Sequence, residues 1–299
     1  KFEGVTLKAF VSYGKIENSF EEFTKKTGIK VEFTPLSTGA ALAKLNAEEG
    51  KSDVDVWLGG GADAYIAAKD KGYLYQYSPE GAKDIDEAYK DKDGYWTAVS
   101  FQTAGIIVNN DVLKKLNLPA PKSWEDLTNP IYEGEIIFAN PAISGTAYSM
   151  LETMYQNWGE EKTYDYLTRL NKNVAYYTEG GGEPSKKVAA GEFAIGFLPV
   201  TGEYYAMQNE SPVSIIIPED LFPWIPSPVA IFANSKNIEA AKVFADYFTS
   251  KEGGDALQKG EVRIMARNDV EMPEIMKDAS KDSFVPMDIA KMSGNRDKV

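Results

Sequence analysis

Within its first 75 residues the chain switches repeatedly between two hydrophobic rhythms. Residues 5–13 (VTLKAFVSY) are β-branched and aromatic, as a strand requires. Residues 17–27 carry Phe20 and Phe23 three apart among Glu and Lys, the pattern of an amphipathic helix, and Gly28 sits where a helix C-cap belongs. Residues 30–33 read as a second strand. Ser37-Thr38-Gly39 opens a helix with Ala41, Leu42 and Leu45 on one face. Residues 54–58 are a third strand and 62–71 a third helix. Strands joined by helices predict a mostly parallel sheet covered on both faces.

The alternation breaks at 95–101 and 105–108, two strands in quick succession that could carry the chain from one lobe to another. A second α/β series follows. Pro121-Lys122-Ser123-Trp124-Glu125-Asp126-Leu127 reads as a turn and a capped helix start. Strands are expected at 135–138, 175–177, 193–198, 214–217 and 229–232. Helices are expected at 145–158, 161–170, 183–190, 239–249 and 254–259. The length of 299 residues suits two domains of about 100–200 residues each. Lobe 1 is expected at 1–103 plus 229–270 and lobe 2 at 104–228, with 271–299 a C-terminal tail packing across the lobes.

The chain has no Cys and no His. Thiolate nucleophiles, disulfides, Ser-His-Asp triads and nearly all zinc chemistry are therefore absent. No metal or cofactor is expected, and the chain is not read as an enzyme. A formal net charge of −13 gives no electrostatic reason to bind nucleic acid or an anionic membrane. Only four of the 32 basic residues are Arg (Arg169, Arg263, Arg267, Arg296), so bidentate recognition of phosphate or carboxylate has few candidates. No apolar run is long enough to span a membrane. The opening at Lys1-Phe2-Glu3-Gly4 fits a mature or trimmed chain, with a lipid anchor compatible before it.

Three strand-to-helix junctions combine small residues with hydroxyls or glycines: Ser37-Thr38-Gly39, Gly59-Gly60-Gly61 and Ser144-Gly145-Thr146. In open α/β sheets ligands sit at the carboxyl ends of strands. A helix N-terminus there offers unpaired N–H groups and a positive partial charge. Glycine lets backbone approach closely and a hydroxyl adds a donor, making an uncharged anion cradle. Ordinary N-cap turns would look the same singly. Gly180-Gly181-Gly182 is a fourth such segment, with a flexible loop as its alternative. GxGxxG and GxxxxGK[ST] are absent. Tyr176-Tyr177 and Tyr204-Tyr205 raise a ferric alternative, because phenolate oxygens bind Fe(III). Trp57 and Trp224, the latter in Phe222-Pro223-Trp224-Ile225-Pro226, read as pocket wall or as core.

Five segments carry a resemblance. They are Phe23-Thr24-Lys25-Lys26-Thr27-Gly28-Ile29-Lys30-Val31, Asp55-Val56-Trp57-Leu58-Gly59-Gly60-Gly61 and Pro121-Lys122-Ser123-Trp124-Glu125-Asp126-Leu127. The others are Asn140-Pro141-Ala142-Ile143-Ser144-Gly145-Thr146-Ala147 and Ala190-Gly191-Glu192-Phe193-Ala194-Ile195-Gly196. In this order and spacing the whole chain resembles extracellular solute-binding proteins of ABC importers with the type II periplasmic-binding-protein fold. The group includes ferric-ion, sugar-phosphate and aminoalkylphosphonate receptors. The resemblance implies a two-lobed α/β fold with hinge strands and an interlobe ligand cleft. It implies a monomer outside the cytoplasm that closes on a solute and delivers it to a membrane permease. Ser37, Thr38, Gly60, Ser144, Gly145 and Thr146 would hold an anionic group. Ser12, Tyr13, Gly39, Trp57, Gly59, Gly181, Gly182 and Trp224 complete the expected ligand-binding set. The ferric alternative would use Tyr204 and Tyr205, but these come later than the family's tyrosine pair, after Pro199 and Val200. Gly60 stands where ferric receptors often carry a carboxylate.

Overall fold

A computed structural model describes residues 2–299. In chain order its elements begin with β1 (Thr6–Ser12), α1 (Glu17–Thr27), β2 (Lys30–Pro35), α2 (Thr38–Ala47), β3 (Val56–Gly59), α3 (Ala62–Asp70) and β4 (Leu74–Tyr75). Next come β5 (Thr97–Asn109), α4 (Asn110–Lys115), β6 (Ile136–Ala139), α5 (Gly145–Trp158), α6 (Glu160–Asn171), β7 (Val174–Thr178) and α7 (Glu183–Ala189). β8 (Ile195–Pro199), α8 (Gly202–Ala206), β9 (Val213–Ile216), β10 (Trp224–Phe232), α9 (Ile238–Thr249), α10 (Lys251–Gly260) and α11 (Met292–Asn295) follow. Two compact units result: Lys1–Phe101 with Ile225–Met272, and Gln102–Trp224 with Pro273–Val299.

In the first unit β2, β1 and β3 are parallel, with Ala9 opposite Phe33 and Val56. β10 runs antiparallel to β3, and β4 pairs with β10. α1 closes on Gly28, whose φ of +77° is the left-handed conformation; its N–H donates to Thr24 O at 2.8 Å. The buried face of α1 sets Phe20 and Phe23 against Phe244, Tyr247 and Phe248 of α9, with ring centroids 5.3–5.9 Å apart. Each fully buried aromatic side chain contributes about 1.5–3 kcal/mol by leaving water. This cluster, with Leu7, Val56, Leu58 and Leu257, is the core of the unit.

In the second unit β7, β6 and β8 are parallel, β5 is antiparallel to β8, and β9 flanks β5. Its core gathers Ile106, Val108, Phe138, Phe197, Met150, Met154 and Tyr166 around wholly buried Trp124. The indole of Trp124 donates to Leu221 O at 2.9 Å, and Tyr166 Oη donates to Trp124 O at 2.9 Å.

Several expectations are corrected. The two strands expected at 95–101 and 105–108 are one, β5, because the residues between them stay extended. The helix expected after Ser123 is a single 3-10 turn, Glu125–Thr128, although Ser123 Oγ accepts from Asp126 N–H as a cap would. Much of the aromatic, proline-rich run before residue 229 is strand, β10. α10 starts at Lys251 rather than Gly254, behind the Ser250 cap. From Pro273 the tail clusters with the second unit. There Tyr148 Oη donates to Met292 O at 2.7 Å, and Asn295 Nδ2 to Glu152 Oε1 at 2.8 Å. Among the described residues no helix is long and apolar enough to cross a membrane.

Candidate functional site

In the first unit the carboxyl ends of β1 and β3 meet at Ser12 and Gly59, which lie opposite each other in the ladder. Gly59 has φ +86°, and a methyl group built on it would lie 2.6 Å from Ser12 O. Only glycine fits there, so the chain turns sharply and brings Gly60 beside α2. Gly60 (φ +81°) approaches Thr38 so closely that an added methyl would lie 2.0 Å from Thr38 Cγ2. Ser37 caps α2, accepting from Ala40 N–H at 3.1 Å, and the Gly39 Cα faces open space. Ser37, Thr38, Gly39, Gly59 and Gly60 are thus neighbours at one edge of the unit.

Ser12 is committed locally, since its hydroxyl donates to Leu36 O. Tyr13, the next residue, is 7% exposed, and its ring lies under the guanidinium of Arg263 at 4.0 Å. Burial pushes the Tyr13 phenol up to about 12, so it stays neutral at physiological pH. Trp57 is corrected: it is wholly buried, stacked on Tyr65 at 4.0 Å and on Phe232 at 5.4 Å, and forms core rather than pocket wall.

In the second unit the parallel strands β6, β7 and β8 end at Ala139, Thr178 and Pro199. Ser144 caps the 14-residue α5, accepting from Ala147 N–H at 3.2 Å. A methyl group built on Gly181 would lie 2.9 Å from Ser144 Oγ and 3.9 Å from both Thr146 Cβ and Pro199 Cγ. Ser144, Thr146 and Gly181 therefore converge beside the end of β8, and Gly145 faces open space. Gly182 abuts Tyr204, whose Oη would lie 2.2 Å from an added methyl group. Trp224 is also corrected. It stacks on Phe284 at 4.9 Å and donates Nε1 to Val285 O at 2.6 Å, so it anchors the tail.

The ferric alternative loses one of its two ligands. Tyr205 is 2% exposed and donates to Asp278 Oδ1 at 2.8 Å. Burial, reinforced by the Asp278 carboxylate, raises this phenol far above the usual tyrosine range. It is held as a neutral donor rather than a phenolate. Among the described residues no group of three or more acidic, His or Cys side chains is arranged to hold a metal ion.

Sequence reasoning missed a set of buried polar atoms. Among the described residues, Ser227 Oγ, Thr103 Oγ1, Thr201 Oγ1 and the Nε and Nη1 of Arg263 have no hydrogen-bond partner within the protein. Such orphans are costly unless something else satisfies them. Thr201 follows the end of β8 and N-caps α8; Thr103 O accepts from Val200 N–H at 3.1 Å. Ser100 pairs with Met265 across an isolated bridge, two residues from Arg263. A lone Arg within Val262-Arg263-Ile264-Met265 was the one available signal, a charge embedded in apolar sequence.

Comparison with known proteins shows the family. Residues 54–291 match the family model described as bacterial extracellular solute-binding protein. An uncharacterised protein of Haemophilus influenzae is 31% identical over 282 residues, 92% of this chain and 82% of that one. The protein named "Probable ABC transporter periplasmic-binding protein y4fP" from Sinorhizobium fredii is 27% identical, covering 77% of this chain and 65% of its own length. The periplasmic binding protein AfuA of Actinobacillus pleuropneumoniae, solved with fructose-6-phosphate, superposes with a TM-score of 0.90 at 30% identity. That match covers 99% of this chain and 96% of AfuA. The α/β fold thus has its counterpart in periplasmic binding proteins. The chain belongs to the bacterial extracellular solute-binding proteins, as a periplasmic binding protein of the ABC-transporter type.

Proposed function

We propose that this receptor captures a small organic anion bearing a phosphoryl or phosphonyl group and delivers it to a membrane permease. The observation that carries the reading is the edge of the second unit where Ser144, Thr146 and Gly181 converge at the N-terminus of α5. The buried, unpartnered hydroxyl of Thr201 follows the end of the neighbouring strand β8. Hydroxyls and glycine gathered at the N-terminus of a long helix suit a tetrahedral oxyanion. The first unit supplies Ser37, Thr38, Gly39 and Gly60 in a like arrangement. AfuA, similar along its whole length, holds fructose-6-phosphate. The receptor acts as a monomer and binds its ligand without covalent chemistry.

Isothermal titration with fructose 6-phosphate, 2-aminoethylphosphonate, inorganic phosphate and ferric citrate tests the reading. An organic phosphate or phosphonate should bind, and Thr146→Ala should weaken that binding about tenfold or more, because a desolvated anion loses a donor. Recovery of the probe unchanged after incubation checks that nothing is turned over. Binding of ferric citrate alone, or equal affinity of Thr146→Ala, would overturn it.

A further inference from the structure

Three arginines of this chain contrast with one another in their partners. Arg169 uses Nε, Nη1 and Nη2 on Asp165, Glu125 and Thr128. Arg267 uses all three nitrogens on Asp269, Asp84 and Thr249 O. Arg263 is the most enclosed, 8% exposed, yet only Nη2 has a partner, Glu261 Oε2 at 3.0 Å. Its Nε and Nη1 are buried and donate to nothing in the protein.

The surroundings hold this guanidinium in place. Arg263 N–H donates to Gln258 Oε1 at 2.8 Å, fixing the backbone. Glu261 Oε2 also accepts from Gly14 N–H at 2.6 Å, and a methyl group built on Gly14 would lie 2.8 Å from it. Glu261 is thereby pinned against the turn after β1. The Tyr13 ring supports the guanidinium face at 4.0 Å, and Tyr13 Oη lies 3.9 Å from Met265 Sδ. All of this lies just past the carboxyl end of β1, whose last residue faces Gly59. A buried charge with idle donors is unfavourable by itself, whereas a fixed one is prepared for an acceptor that arrives from outside.

We infer that Arg263, pinned by Glu261 and stacked on Tyr13, is the cationic anchor for an oxyanion of the transported solute. This rests on the anion-receptor reading above and sharpens it: the site is not made of neutral donors alone. Arginine suits the role because its charge does not titrate and its guanidinium is weakly hydrated.

The test titrates the intact protein with fructose 6-phosphate, 2-aminoethylphosphonate, inorganic phosphate, citrate and a sulfonate. The proteins are wild type, Arg263→Gln, Arg263→Lys and the double variant Arg263→Gln/Glu261→Gln. Ligand-free melting is followed in parallel. Arg263→Gln should weaken the best oxyanion about ten- to a hundredfold, since a charge-assisted donor set is lost. Arg263→Lys should fall between, keeping the charge without the planar fork. The double variant leaves no unpaired carboxylate, so it carries the test if Arg263→Gln melts early; it too should bind weakly. Wild-type affinity in the double variant overturns the anchor, and a simultaneous loss in Thr146→Ala would leave the anion-receptor reading standing. A wild type that binds no oxyanion of the panel overturns both.

Discussion

Replacing Ser144 by aspartate separates its two duties, as cap and as donor. Ser144 Oγ accepts from Ala147 N–H at 3.2 Å and so satisfies one amide in the first turn of α5. Aspartate caps as well as serine, and its charge suits a helix N-terminus. Ligand-free Ser144→Asp should therefore melt with wild type. Ser144→Ala loses the cap at about 1 kcal/mol, a fall of about 2–4 °C for a protein of this size. Binding should follow the opposite order. Alanine removes one donor and costs about tenfold in affinity. Aspartate sets a full negative charge beside the anion; at about 4 Å and an effective dielectric of about 20 the repulsion is about 4 kcal/mol, about a thousandfold in Kd. Gly181 packs closely on Ser144 Oγ, so Ser144→Asn controls for size. Differential scanning fluorimetry reads the first quantity, and titration with fructose 6-phosphate the second. An aspartate variant that binds as tightly as the asparagine one would refute the anion placement.

Three further outcomes follow from the geometry. Gly59→Ala should destabilise the first unit by about 2–4 kcal/mol in urea unfolding, combining left-handed strain with a collision of Cβ on Ser12 O; wild-type stability would mean that the β3 turn is not rigid. The Tyr13 phenol is raised to about 12 in the folded state, above its value of about 10 in the unfolded chain. Its contribution to stability is complete below pH of about 10 and declines as pH rises towards 12 because the unfolded chain ionises first, by about 2–3 kcal/mol in all. Tyr13→Phe should lose that part of the alkaline decline, and parallel wild-type and variant profiles between pH 9 and about 11.5 would contradict this. Trp224→Ala removes the stack on Phe284 and the bond to Val285 O, at about 3–5 kcal/mol. It should expose 284–299 to limited proteolysis first, and cleavage elsewhere at the same rate would argue against an anchoring role.

Much of the fold could be read from residue order because its signals are local. Phe20 and Phe23 three apart, Gly28 after them and the Ser37 and Ser144 caps of α2 and α5 are all set by near neighbours. The turn glycines Gly59 and Gly60 were legible for the same reason: sharp turns at strand ends leave their mark in the turn itself. What stayed hidden depends on distant partners. Trp57 and Trp224 sit beside glycine and proline, where a wall residue and a core residue look alike until Phe232 and Phe284 are known to stack on them. The extended path of β5 through Gln102–Thr103 has polar residues in it and looked like an interruption. The anchors of the tail, Tyr148 and Glu152, stayed hidden because they are over a hundred residues away in sequence.

Arg263 is the instructive omission. The chain carries 32 basic residues and four arginines, so a count of charges points away from a cationic site. Counting is the wrong measure, because solvated charges on the surface contribute little to binding a small solute. What matters is whether a cation has been taken out of water and left with donors to spare. Lysine in that position would be strongly hydrated and readily deprotonated on burial; arginine keeps its charge. The carboxylate of Glu261 offsets the burial of the guanidinium without using more than one of its nitrogens. A neutral pair with idle N–H groups costs less to hold empty than a bare cation, yet still offers directed donors to an oxyanion. Neutral hydroxyls and amides can then supply shape around the anion while one arginine, kept ready by its own carboxylate, supplies the field.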